Sequence, residues 1–250
     1  MYMSTSPTNT LIERLFKAGA HFGFKKSRRH PTVTPYLFTT KQGSDIFDLE
    51  KSAALLEEAK SVVRIMASLG KTVIFVGTKE EVARQVKESA EKIGAPYVTN
   101  RWIGGMLTNW SEIKKRIARM AELTRERENG ELERKYTKKE RVILGREATK
   151  LEVHFGGIAA ITKVPDLMVV VDPRHDKIAI EEARDMKVPI IGIMSSDCNV
   201  GKVTYPVLVN DALQSSVAIV LAELIAAYQE GAAQVAAPVA ATDAARKPRA

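Results

Sequence analysis

Three short runs constrain this chain more than anything else in it: Thr72-Val-Ile-Phe-Val76, Leu167-Met-Val-Val-Val171 and Pro189-Ile-Ile-Gly-Ile-Met194. Each is almost unbroken in apolar character and rich in β-branched residues, the pattern of a strand covered on both faces. Segments of helical length follow the first two, from Lys79 to Ile93 and from Asp176 to Met186, with Gly77 turning the chain out of the first strand. Strand, helix, strand, helix predicts a parallel sheet. Tyr205 to Val209 offers a last strand before a helix from Ala212 to Tyr228. Ahead of the first strand, Asp48 to Leu69 carries an apolar stripe at Leu55, Leu56, Val62, Val63, Ile65, Met66 and Leu69 and stops at Gly70, as a C-capped amphipathic helix should. A chain of 250 residues has room for one large core with an appendage.

Three segments break this rhythm. The first 44 residues predict a short helix, with Leu11, Ile12, Leu15 and Phe16 on one face after cap candidates Thr8-Asn9-Thr10, ending near Gly19. A basic arm follows. From Arg14 to Ser44 there is no acid, while Arg14, Lys17, Lys25, Lys26, Arg28, Arg29 and Lys41 supply seven cations, and Pro31 and Pro35 oppose regular helix before a short strand at Tyr36 to Thr39. Residues 45–107 and 156–230 form the α/β domain, and 108–155 an insertion of two charged helical arms joined at Glu128-Asn129-Gly130. Trp110, Ile113, Ile117, Met120 and Leu123 step by three and four along one arm, and Leu132, Tyr136, Ile143, Leu144 and Leu151 mark the other. So narrow a stripe predicts an antiparallel coiled-coil hairpin, its apolar face satisfied internally. After Gly231 the chain turns to Ala, Val and Pro, so 231–250 reads as a disordered tail.

Charge narrows the partner. The 38 Lys+Arg exceed the 30 Asp+Glu by eight, with thirteen cations against eight acids between 111 and 150. A surplus concentrated in an acid-free arm and a projecting hairpin favours a polyanion, nucleic acid first. The longest apolar run, Val217 to Tyr228, is cut by Glu223, and MYMSTSPTNT has neither the basic nor the apolar region of a secretion signal, so a soluble cytoplasmic protein with no membrane partner is expected. One cysteine excludes an internal disulfide, and four scattered histidines with one thiol make no metal motif in sequence.

Motifs for chemistry are equally thin. Gly70-Lys71-Thr72 has the end of a phosphate loop, but Ile65 stands where the first glycine belongs, and the run closes a helix instead of opening one. After Gly77 the sequence GTKEEV lacks the second and third glycines of a dinucleotide fingerprint. Asp172 ends a strand and could reach a ribose, though Asp172-Pro173 reads better as a helix cap with proline at the first position. Cys198 has no histidine near it in sequence to act as a base. No catalytic residue, metal, cofactor or small-molecule substrate is expected. The alternative reading is an α/β enzyme acting on a phosphorylated small molecule at the C-terminal edge of the sheet, where open α/β sheets bind ligands.

The run NRWIGGMLTNW at 100–110 is a junction: Gly104-Gly105 permits a sharp path, Asn109 with Glu112 fits a capping pair, and Trp102 and Trp110 would wedge the hairpin root against the domain. Together with AGAHFGF at 18–24, FVGTK at 75–79, GGI at 156–158 and Pro165-Asp166 before LMVVVD, it resembles the small-subunit ribosomal protein S2 family of bacteria, in order and spacing from about residue 8 to 231. The resemblance implies a Rossmann-like (flavodoxin-like) parallel sheet flanked by helices with a coiled-coil insertion. It also implies a ribosome-bound place near the head and body junction of the small subunit, contacts to rRNA and other ribosomal proteins, and docking of the large mRNA-binding OB-fold protein. Two departures stand out. Phe24 replaces the second histidine of HFGH, and Ser195-Ser-Asp-Cys-Asn-Val200 with Val209-Asn210-Asp211-Ala212 replaces a more acidic pair of loops. The cations expected on phosphates are Lys25, Lys26, Arg28 and Arg29 in the arm, Arg101 at the hairpin root, and Lys114, Lys115, Arg116 and Arg119 along the hairpin.

Overall fold

The computed structural model describes residues 7–236. The reading of the first six residues as lacking a secretion signal, and that of 237–250 as tail, lie outside the described residues. Helix α1 (Pro7–Lys17) starts earlier than expected, so Thr8, Asn9 and Thr10 lie within it. The segment expected to be an irregular arm with one strand is instead a small antiparallel sheet, β1 (Phe22–Lys25), β2 (Leu37–Lys41) and β3 (Ser44–Phe47), in the order β1-β3-β2. Two residues with positive φ, Gln42 at 51° and Gly43 at 78°, close the β2–β3 hairpin, the geometry that matches strand twist.

The chain then runs through α2 (Leu49–Ser68), β4 (Val73–Val76), α3 (Glu80–Lys92) and a two-residue strand β5 (Tyr97–Val98) too short to announce itself in sequence. Next come α4 (Trp110–Glu128), α5 (Glu131–Lys135) and α6 (Lys138–Phe155), followed by β6 (Leu167–Val171), α7 (Lys177–Asp185), β7 (Ile190–Met194), β8 (Tyr205–Leu208) and α8 (Gln214–Ala236). Strands β4 to β8 pair in parallel in the order β5-β4-β6-β7-β8. Counted within this sheet the order is 2-1-3-4-5, the flavodoxin-like winding.

Alternation along each strand divides the core in two. Val73, Phe75, Leu167, Val169, Val171, Ile191 and Ile193 point to one face, covered by buried residues of α1, α2, α3 and α8. Ile74, Val76, Met168, Val170 and Ile190 point to the other, covered by Ala179, Ile180 and Ala183 of α7 together with Trp102, Met106, Leu107, Ile113, Leu151 and Phe155. The roots of α4 and α6 therefore share the core of the second face. The expectation that the hairpin satisfies its apolar face internally fails at its base.

Farther out, α4 and α6 lie against each other through partly buried Ile117, Met120, Leu144 and Ala148, with Leu123 buried. Ile143, assigned to the stripe, is 54% exposed. The returning arm is broken at Tyr136 and restarts with a capping box in which Glu140 accepts from the Thr137 backbone N–H at 2.8 Å.

By length and composition alone α8 could cross a membrane, with Glu223 inside it, yet Val217, Val220, Leu221, Leu224 and Ala227 are buried in the sheet core. Its Glu223 bridges Arg14 of α1 at 2.7 Å and Lys60 of α2 at 3.0 Å. Helix persists to Ala236, past the expected start of the tail, and Gly231 is needed because a Cβ there would lie 2.2 Å from the Arg64 carbonyl oxygen.

Candidate nucleic-acid interface

The small sheet is fastened to the main one through the loop after β7. The Phe24 N–H donates to Ser196 Oγ at 2.9 Å, the His30 N–H to the Ser196 carbonyl at 2.8 Å, and the Val200 N–H to Thr32 Oγ1 at 3.1 Å. Phe24 and Ser196, two of the positions departing from the family pattern, thus meet in space. Lys25 at the end of β1, and Lys26 and Arg28 in the 3-10 turn that follows it, stand exposed with no carboxylate partner among the described residues, Arg28 lying over the Phe24 ring at 5.2 Å.

Arg29 behaves otherwise. Its guanidinium grips fully buried Asp45, with Nε at 2.8 Å from Oδ2 and a second bond from Nη2 to Oδ1, and Nη2 also reaches Thr40. The bond to Asp45 raises the Arg29 pKa further. Arg29, expected on phosphate beside Lys25, Lys26 and Arg28, instead has an internal partner and ties the turn after β1 to β2 and β3 through Thr40 and Asp45. Phe16, Phe22 and Phe38 are 61%, 50% and 77% exposed and line one groove together with Lys41.

At the junction, sequence reasoning missed the organising residue. Glu182 of α7 is buried, and its carboxylate gathers the whole run: Oε1 accepts from Trp102 Nε1 at 3.2 Å and the Gly105 N–H at 2.7 Å, Oε2 from the Leu107 N–H at 3.0 Å and from Thr108. Donors that the loop cannot satisfy internally thereby find one acceptor group. Gly105 at φ 90° supplies the turn that aims its N–H, whereas Gly104 faces open space. The Asn109–Glu112 capping pair does not form; Asn109 makes no side-chain cap, and its Oδ1 accepts from Ser111 instead. Trp102 is 4% exposed and packed, while Trp110 is only partly buried, its Nε1 donating to the Thr162 carbonyl at 3.4 Å.

Along the hairpin, Lys114 and Arg116 are exposed with no acidic partner among the described residues, as is Arg101 at the root. Lys115 pairs with Glu112 at 2.6 Å, and Arg119 with Glu122 at 2.8 Å and Glu147 at 3.5 Å. Exposed pairs of this kind are weak enough to yield to phosphate. A groove of about 690 Å³ runs from Gly104-Gly105 between the arms, with Arg116, Arg146 and Lys150 on its walls. A second, of about 450 Å³, joins Arg28 to Arg174, Lys177 and Lys202 at the C-terminal edge of the sheet. The last three cations were overlooked because they are scattered singly through the sequence.

The Thr78 N–H and Oγ1, in the turn after β4, donate to Asp176 at 3.2 and 2.6 Å, and a Cβ on Gly77 would meet Val86 at 2.7 Å. Burial raises the Asp176 pKa against the pull of those bonds. Asp172 does not cap a helix as expected: it sits at φ 58°, accepts from the His175 N–H at 3.2 Å and pairs with Lys79 at 3.3 Å, while α7 starts only at Lys177.

Comparison with known proteins agrees with the architecture. Residues 15–231 match the model of the family described as ribosomal protein S2. The small ribosomal subunit protein uS2 of Nostoc punctiforme is 37% identical over 220 residues, covering 88% of this chain and 83% of that protein. Its counterpart in Rippkaea orientalis is 39% identical over 225 residues, covering 90% and 83%. The winding, the inserted helical arms, the Glu182-centred junction and these matches lead to one statement: the chain belongs to the ribosomal protein S2 family.

Proposed function

We propose that the chain is a structural, non-enzymatic constituent of the small ribosomal subunit. In this reading it is ribosome-bound in the cytoplasm, holds rRNA through the arm sheet and hairpin, and abuts other ribosomal proteins, including the large mRNA-binding OB-fold protein. The observation that carries the rRNA contact is the placement of Lys25, Lys26 and Arg28, exposed and unneutralised at the end of β1 and in the 3-10 turn after it, which Arg29–Asp45 and Ser196 hold in place. Cations held on a rigid support lose little entropy when they meet phosphate, and each releases counterions on doing so. Arg101, Lys114, Lys115, Arg116 and Arg119 extend the contact along the hairpin, and the exposed phenylalanines offer surfaces on which unpaired bases can stack. Sedimentation of cell lysate tests the assembly. The chain should travel with the small subunit at moderate salt and leave it at high salt; a chain found only as free protein at low salt contradicts the proposal.

A further inference from the structure

Four cations from three separate stretches of chain line one groove of about 450 Å³ between the arm and the C-terminal edge of the main sheet: Arg28 in the turn after β1, Arg174 and Lys177 at the start of α7, and Lys202 in the 3-10 turn after β7. Like charges brought together repel one another, and an anion placed among them relieves the repulsion. Acids answer them only in part. Arg174 holds Asp197 at 2.7 Å, and Lys202 stands 3.8 Å from exposed Glu181. Arg28 and Lys177 are exposed and meet no carboxylate among the described residues. Arg29 also lines the groove but is taken up by Asp45. Two neutral donors join the cations. Thr32 Oγ1 accepts from the Val200 N–H at 3.1 Å, so its own hydrogen serves His30 Nδ1, 2.8 Å away. With Nδ1 accepting, the neutral His30 ring carries its hydrogen on Nε2, where it meets no acceptor among the described residues. Asn199 is fixed in the same way: its Oδ1 accepts from the Gly201 N–H at 2.9 Å, which leaves the NH2 as a donor.

We propose that this groove binds the sugar-phosphate backbone of RNA, as a contact additional to the arm lysines and the hairpin. The proposal rests on the reading of the chain as an rRNA-binding protein and adds Arg174, Lys177, Lys202 and His30 to its contacts. Phosphate fits the donor set. A guanidinium fork pairs with two phosphate oxygens at once, and an ammonium serves as a compact point charge beside it. Donors arrive from three sides of the groove, so successive phosphates and riboses meet more of them than a single two-oxygen carboxylate does. The first turn of α7 opens among these cations, and Asp176, whose carboxylate is held by Thr78, gives that helix no side-chain cap. The positive end of the helix therefore adds to the field of the side chains. Arg28, Arg174 and Lys177 stand exposed at the rim, which suits a strand running through the groove better than a small phosphate compound enclosed in it.

Lys177→Gln combined with Lys202→Gln tests the groove without touching the arm or the hairpin. When the full-length double variant is rebound to small subunits depleted of the protein, the slope of log affinity against log salt should fall by about one to two units relative to wild type. Its thermal midpoint should match wild type, since neither side chain is buried. If the double variant melts early, Lys177→Gln alone decides, with the slope lowered by about one unit. Ultraviolet irradiation of the wild-type complex should attach rRNA to a peptide carrying Lys177 or Lys202. Wild type that rebinds while the double variant keeps its slope overturns the groove and leaves the ribosomal reading standing; wild type that never rebinds overturns both. Two further results would overturn the proposal by assigning the groove elsewhere. One is saturable micromolar binding of adenosine monophosphate by the free protein, lost in the double variant while rebinding is unchanged. The other is a carbodiimide cross-link from either lysine to a carboxylate of another ribosomal protein.

Discussion

Glu182 shows how much one side chain can organise. Either orientation of an amide at this position would turn an NH2 toward donors that now face oxygen, Trp102 and Gly105 on one side or Leu107 and Thr108 on the other. Glu182→Gln should therefore cost about 2–6 kcal/mol, at roughly 1–3 kcal/mol for each of two donors left unpaired, read from denaturant midpoints. An unchanged midpoint would mean that water replaces the carboxylate. Trp102→Ala should cost about 3–5 kcal/mol and Trp110→Ala clearly less, since only the first is fully buried. Glu223 makes a pH prediction. Burial raises its pKa, but the hydrogen bonds from Lys60 and Arg14 outweigh this and leave it below 4.5. A depressed carboxylate contributes stability that is complete above its unfolded pKa and lost as pH falls through the folded value, so wild type should lose stability below about pH 4.5. Glu223→Gln should be less stable at neutral pH and show a shallower loss in acid; parallel curves for the two proteins would remove this role.

Among the elements, strands covered on both faces were the most legible, because continuous β-branched runs such as 167–171 have few other uses. The arm sheet was not legible: β1 is FGFK, with glycine at its centre and a cation at its end, and its pairing depends on the distant Asp45. Composition could mark the arm as basic but could not separate Arg29 from its neighbours, since the partner that distinguishes it lies 16 residues on. The long helices α4 and α6 were legible, while the break at Tyr136 and the integration of their roots with the core were not, because periodicity states which face is apolar and not what covers it. Trimming should expose that difference. Replacing 121–146 with a Gly-Ser linker should leave the thermal midpoint within several degrees, whereas replacing 111–150 removes Ile113 from the second face and should lower it markedly more. Equal midpoints would show the hairpin to be independent from its root.

On the scale of the whole molecule, the main sheet carries both the arm sheet and the roots of α4 and α6. Its first face is closed by four helices, and the second needs the hairpin root to complete it, so the direction of the hairpin is set by core packing as well as by Glu182. The family was legible in NRWIGGMLTNW, while the carboxylate that explains that run stands 72 residues beyond it, at Glu182, and only folding brings the two together. Arg29 holds the fold through Asp45, whereas Lys25, Lys26 and Arg28 face outward. Rebinding of purified protein to small subunits depleted of it, measured across a salt series, tests this directly. Charge reversal of Lys25, Lys26 and Arg28 together should leave the thermal midpoint unchanged and reduce the slope of log affinity against log salt by roughly two to three units. Arg29→Glu alone should lower the midpoint of the free protein by abandoning Asp45. Normal rebinding of the triple variant at every salt concentration, or a triple variant that melts as early as Arg29→Glu, would contradict the account.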